Sequence, residues 1–218
     1  MTRRTPRGGR RSLGTPARSL RSTNATEPTW RPQRVLHLVD DYWDEARDAT
    51  LYAGPNPIVA HPPCKRWGRF WSADGSTEPG HDGGLFLSAL DSLRRWGGVL
   101  EHPEASHAWA HFEIPRPSVG TWTRSRGNEW TTCVAQRNYG HKARKLTWLL
   151  CCGETEPPPL DWSKPEPPEA YLCPPGRRGP HAPGDTSVKR LTPRENELTP
   201  LPFAELLVSI ALAAPERG

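Results

Sequence analysis

A cysteine that follows two prolines at the end of an apolar run is mounted for chemistry. In AHPPCKRW, residues 60–67, Pro62 and Pro63 fix the local backbone and bias the preceding residue away from helix, so Cys64 is held out past a strand end. Lys65, Arg66 and Arg69 follow, and cations beside a thiol favour the thiolate, its nucleophilic form. The alternative is an inert, buried small side chain. Glu101 closes a second apolar run, GGVLE, where a carboxylate is costly to bury unless it is paired or kept protonated for proton donation. An ordinary cap or salt bridge is the alternative there.

A third polar cluster is QRNYGHKARK, residues 136–145, where Arg137, His141, Lys142, Arg144 and Lys145 stand near Tyr139 and Trp148. Cations interleaved with aromatics suit phosphate contacts with base stacking, and a solvated basic turn before a core strand is the plainer reading. Metal chemistry is not indicated. His102-Pro103-Glu104 has the H-x-E form of zinc deaminases, but the position three after Cys64 is Trp67 and not a second cysteine. Cys64, Cys133, Cys151, Cys152 and Cys173 form an odd set without C-x-x-C spacing, so neither a disulfide framework nor a standard zinc site is expected.

The elements that must position these residues follow from periodicity. Val35 to Val39 reads as a strand ending on Asp40 and Asp41, and Ile58 to Ala60 as a second strand running into Cys64, with room for one short helix between them. Leu85, Phe86, Ala89, Leu90, Leu93 and Trp96 recur at helical spacing. Val99 and Leu100 make a third strand. Strand, helix and strand with short glycine-bounded connections are the pattern of a right-handed crossover in a parallel sheet. That places Cys64 and Glu101 at one sheet edge, the carboxyl ends of parallel strands where open α/β sheets bind ligands. Residues 102–130 look irregular, 142–152 read as a strand or buried element, and 201–215 as a C-terminal helix with Pro202 in its first turn.

Only 34% of the 218 residues are hydrophobic, and 26 prolines with 19 glycines make about a fifth of the chain, so the folded part is smaller than the whole. Seven of the 29 basic residues, all arginines, precede the first acidic residue, Glu27, leaving 22 against 24 acidic residues in the remainder. The sequence predicts a disordered Arg-rich arm over residues 1–30, suited to nucleic-acid phosphates or to solubility alone. A single α/β domain is expected over 31–214, with a loop-rich insertion at 154–189. No run of about 18 apolar residues and no apolar signal-peptide centre is present, so a soluble intracellular protein with no membrane partner is expected.

An Asp ending a strand, then PPC, a helix, a strand ending in Glu and the distal RLTPRE of residues 190–195 together resemble the DNA cytosine-5 methyltransferases, especially short phage-encoded forms. The resemblance spans roughly residues 34–212. It implies a methyltransferase-like (Rossmann-like) parallel sheet, truncated at its N-terminal side and carrying irregular Pro/Trp-rich loops. It further implies double-stranded DNA as partner and a phage or prophage protein in the bacterial cytoplasm. Cys64 would attack carbon 6 of a flipped cytosine, and Glu101 would contact and protonate ring nitrogen 3. Carbon 5 would then take a methyl group from S-adenosylmethionine, with Asp40 or Asp41 at the adenine and Pro62 and Pro63 beside the cofactor. Lys65, Arg66, Arg69, Arg137, His141, Lys142, Arg144 and Lys145 would contact DNA. Lys65 stands where the family has Gln, EHP where it has ENV, and Q-x-R-x-R is only hinted at. The glycine-rich loop and the ribose-binding strand have no counterpart upstream of Asp40. Three rivals stay open: a pyrimidine-modifying enzyme with another donor, an inactive DNA-binding protein, and a chain completed by a partner subunit.

Overall fold

The computed structural model describes residues 21–24, 38–69, 71–74, 77–172 and 189–214. Seven strands form one mixed sheet: β1 (Arg21–Asn24), β2 (Asp41–Trp43), β3 (Ile58–His61), β4 (Gly98–Pro103), β5 (Thr123–Arg124), β6 (Glu129–Ala135) and β7 (Leu146–Cys152), in the order β2-β1-β3-β4-β7-β6-β5. The four strands from β2 to β4 are parallel, and β7, β6 and β5 continue the sheet antiparallel. A parallel pair, β8 (Ala170–Tyr171) and β9 (Lys189–Arg190), lies apart from it. The helices are α1 (Leu85–Trp96), α2 (His107–His111), α3 (Pro193–Glu197) and α4 (Leu201–Ala213).

Alternation along the strands assigns the two faces. Ile58, Ala60, Leu100, Cys133, Trp148 and Leu150 pack with Phe86, Leu90 and Leu93 of α1 and with Trp109 of α2. Their neighbours Val59, Val99, Val134, Leu149 and Cys151 pack with Phe203, Leu207 and Ile210 of α4. A sheet apolar on both faces with helices on each is a three-layer α/β arrangement, and its buried strands are accordingly apolar runs.

The crossover from β3 through α1 to β4 forms as its sequence predicts. Asp82 accepts the backbone N–H of Phe86 at 2.8 Å and that of Gly84 at 3.0 Å, satisfying orphan donors at the helix start. Gly97, at φ 78°, returns its N–H to Leu93 and ends α1. Gly98 then enters the sheet at φ 118°, where a Cβ would meet the Ile58 carbonyl at 2.0 Å. Only glycine lets β4 approach β3 this closely.

The N-terminal part departs from expectation. Arg21–Asn24 falls inside the predicted arm yet pairs on both sides, with β2 and with β3. Residues 35–37 of the predicted first strand lie outside the described residues, and 38–40 are not strand: β2 begins at Asp41 where a strand was expected to end. The predicted short helix is a 3-10 turn, Ala49–Leu51. The sheet is mixed where a parallel one was expected, because β6 and β7 form a hairpin laid against β4.

Candidate active site

The register sets Cys64 and Glu101 at one edge. Ala60 pairs with Leu100, so His61 and Glu101 are level at the carboxyl ends of adjacent parallel strands. Both follow the alternation onto the α4 face. Pro62, buried, and Pro63 then carry the chain to Cys64.

The loop beyond Cys64 is fixed by Trp67. The Cys64 carbonyl accepts N–H groups from Trp67 at 3.1 Å and Gly68 at 2.6 Å. The Trp67 ring is buried, packs against Phe86 and Phe112, and donates Nε1–H to Asp82 at 2.8 Å. The Trp67 carbonyl accepts the N–H of His107 at the start of α2. The position of the cysteine is therefore set by the core.

Glu101 is gripped through both oxygens. His61 Nδ1 lies 3.1 Å from Oε2, and Gln136 Nε2 donates to Oε1 at 3.2 Å and to Thr147 Oγ1 at 2.9 Å. Desolvation pushes the Glu101 pKa up, but the His61 hydrogen bond and charge, with Lys145 and His102, outweigh it and hold the carboxyl below the usual range. Glu101 is a carboxylate as the site stands, the paired of the two alternatives open to it, because donors surround it.

Cys64 is an exposed residue whose thiol lies in a poorly solvated position. Desolvation raises its pKa, Glu101 and Glu197 add to the rise, and Lys145 opposes it. The cations adjacent in sequence do not perform that role. Arg66 donates Nε–H to the Gly80 carbonyl at 2.9 Å, Arg69 pairs with Glu104 at 3.3 Å, and Lys65 is exposed. Arg66 and Arg69 are thus turned to other loops, and burial keeps Cys64 a thiol at neutral pH.

Lys145 enters from the connection between β6 and β7. Its backbone is left-handed at φ 34°, a strained conformation for a residue with a side chain, and its ammonium donates to the Leu198 carbonyl at 3.2 Å. Desolvation lowers its pKa against the pull of Glu101, Cys64 and Glu197. It belongs to the site and not to an outward basic strip.

The rest of the expected DNA-contact set divides. Arg137 is taken up by the His141 carbonyl at 3.2 Å and by Glu169 at 2.7 Å. His141 is buried, with Nδ1 at the Ala143 backbone, and burial lowers its pKa. Lys142 lies 3.7 Å from Glu195 and remains exposed, as does Arg144. RLTPRE turns out to begin α3, with Thr192 and Glu195 forming a reciprocal capping box.

The acidic residues expected at the cofactor are at the wrong edge. Asp41 is level with Arg21 and Ile58, at the start of the parallel strands, about 10 Å along the strand from His61. It is held by Arg47 and by Trp43 Nε1 at 3.2 Å, and Asp40 is exposed. Of the four residues assigned to S-adenosylmethionine, only Pro62 and Pro63 stand near Cys64, so the set does not fit as a cofactor cradle. Among the described residues no group of three or more His, Cys, Asp or Glu side chains is placed to hold a metal ion.

His61, Gln136 and Thr147 were not singled out as site residues in the sequence. His61 was visible only as punctuation before the prolines, and Gln136 lay inside the segment read as basic. A polar residue at the end of an apolar strand is the signal that could have found His61 and Gln136; Thr147, near the start of β7, carries none. Comparison with known proteins returns no matching family model, curated sequence or solved structure. No helix among the described residues is long and apolar enough to cross a membrane.

Proposed function

We propose that this edge binds a pyrimidine base of DNA and adds the Cys64 thiol to its carbon 6, the activating half of DNA cytosine-5 methyltransferase chemistry. The observation that carries the reading is the placement of Cys64, just past the end of β3, beside the edge where Glu101 of the adjacent parallel strand β4 is held by His61 at 3.1 Å and by Gln136 at 3.2 Å. A neutral thiol beside a held carboxylate has a defined route to nucleophilic attack.

For cytosine the step balances within the site. Glu101 takes the thiol proton as the S–C6 bond forms; the C5=C6 pair moves to C4=C5, the C4=N3 pair moves to N3, and Glu101 returns the proton to N3. Carbon 5 of the resulting enamine is nucleophilic. Lys145 favours the developing thiolate, and exposed Lys65, Lys142 and Arg144 supply phosphate contacts around the edge. The base must leave the duplex stack to meet the thiol.

S-adenosylmethionine is the donor the resemblance implies, and the poor fit of Asp40 and Asp41 favours reading the addition separately from the donor. The test is hydrogen exchange at carbon 5 of cytosine in duplex DNA incubated in deuterium oxide without any donor. Exchange by the wild-type protein that Cys64→Ser abolishes is the expected result. No exchange by a folded, DNA-binding protein overturns the reading. Methylation on adding S-adenosylmethionine supports the methyltransferase form, and exchange without methylation supports another donor.

A further inference from the structure

The addition step needs Glu101 ionised and fixed, yet it lies within β4, just past its pairing with β3, between two apolar layers, where an unsupported carboxylate would gain a proton or rotate away. Two side chains from different strands prevent this. His61 ends β3 and meets Oε2; Gln136, fully buried just after β6, meets Oε1 and is itself seated on Thr147 of β7. The grip thus spans both neighbours of β4, the parallel one and the antiparallel hairpin.

We infer that His61 and Gln136 are positioning residues for Glu101, together fixing the carboxylate that shuttles the proton between the Cys64 thiol and the pyrimidine ring. The inference rests on the proposed addition reaction. Since Glu101 is a carboxylate, His61 must donate from Nδ1, which fixes its tautomer or charge. Gln136 must present its amide nitrogen, because two acceptors face it. The charged and titratable groups that act on Glu101 are His61 from β3, Lys145 from the hairpin connection and, from the opposite face of β4, His102; Cys64 lies within electrostatic reach, and Glu197 of α3 acts on Cys64 and Lys145. Of the groups around Glu101, His61 supplies the hydrogen bond that lowers its pKa.

The sign of the pH effect follows. Removing His61 raises the Glu101 pKa, so the acid limb of the reaction, where rate falls as Glu101 gains its proton, moves to higher pH. His61→Ala and Gln136→Leu are expected to lower the turnover rate of carbon-5 exchange by roughly 10- to 100-fold while the KM for DNA changes by less than about threefold. His61→Asn, whose amide nitrogen takes the place of Nδ1, should recover most of the lost rate.

The experiment pairs these rates with a titration of the Glu101 side-chain carboxyl by carbon-13 NMR in the free protein. The expected result is a higher Glu101 midpoint in His61→Ala than in wild type, matching the shift of the acid limb, with both restored towards wild type in His61→Asn. Wild-type rates and an unchanged acid limb in His61→Ala would overturn the positioning role while leaving the addition reaction intact. Absence of exchange in wild type would overturn both, and a shifted NMR midpoint would then report a structural clamp alone.

Discussion

At the scale of single residues, the site works by opposing charges in a poorly solvated corner. Cys64 is pushed towards the neutral thiol by burial and Glu101, and the Lys145 ammonium draws it back. Replacing Lys145 with Met should therefore raise the thiol pKa and slow alkylation of Cys64 at pH 8 by roughly three- to tenfold, followed by peptide mass mapping. Lys145→Arg should stay near wild type; equal rates in Lys145→Met and wild type would remove Lys145 from the site. Cys64 and Glu101 were legible because strand-end punctuation is local. Their environment was not: Arg66 and Arg69 are near in sequence and engaged elsewhere, and Lys65 is exposed, whereas Lys145 is brought in from some eighty residues away.

At the scale of elements, the crossover from β3 through α1 to β4 was readable because Phe86, Ala89, Leu90 and Leu93 carry a clean helical period, and these four are the buried residues of α1. The C-terminal helix was equally plain. β6 was hidden because EWTTCVA mixes Glu, Trp and Thr: Glu129 is buried against Arg94 at 2.7 Å, and Thr131 donates to the Leu149 carbonyl at 2.9 Å. Those partners lie across the sheet and on α1, out of reach of any local pattern. β1 was missed for the opposite reason, since RSTN has no apolar signal and its pairing comes from the strands on either side.

At the scale of the whole molecule, His102 couples the fold to pH. It alternates away from Glu101 into the other layer, fully buried between Phe86 and Trp109, and neither ring nitrogen makes a well-formed hydrogen bond among the described residues. Burial lowers its pKa from 6.5 to about 4, against the pull of Glu101 and the Pro63 backbone. The unfolded chain gains this proton as pH falls through 6.5 and the fold does not, so His102 reduces stability between pH 6.5 and about 4. The loss amounts to roughly 3 kcal/mol across that window. Urea unfolding of wild type at pH 7 and pH 5 should show a drop that His102→Phe largely removes; an equal drop in the variant would place the pH dependence elsewhere.

The central claim, that Cys64 forms a bond to carbon 6 of a pyrimidine in DNA, is tested most directly by a duplex carrying one pyrimidin-2-one nucleotide, a ring that accepts a thiol at carbon 6 without any donor. The account predicts a denaturation-resistant protein–DNA species in wild type, with the modification mapped by peptide mass spectrometry to Cys64 and no such species in Cys64→Ser. A wild-type protein that binds the duplex and forms no adduct, or an adduct that persists in Cys64→Ser, would contradict it.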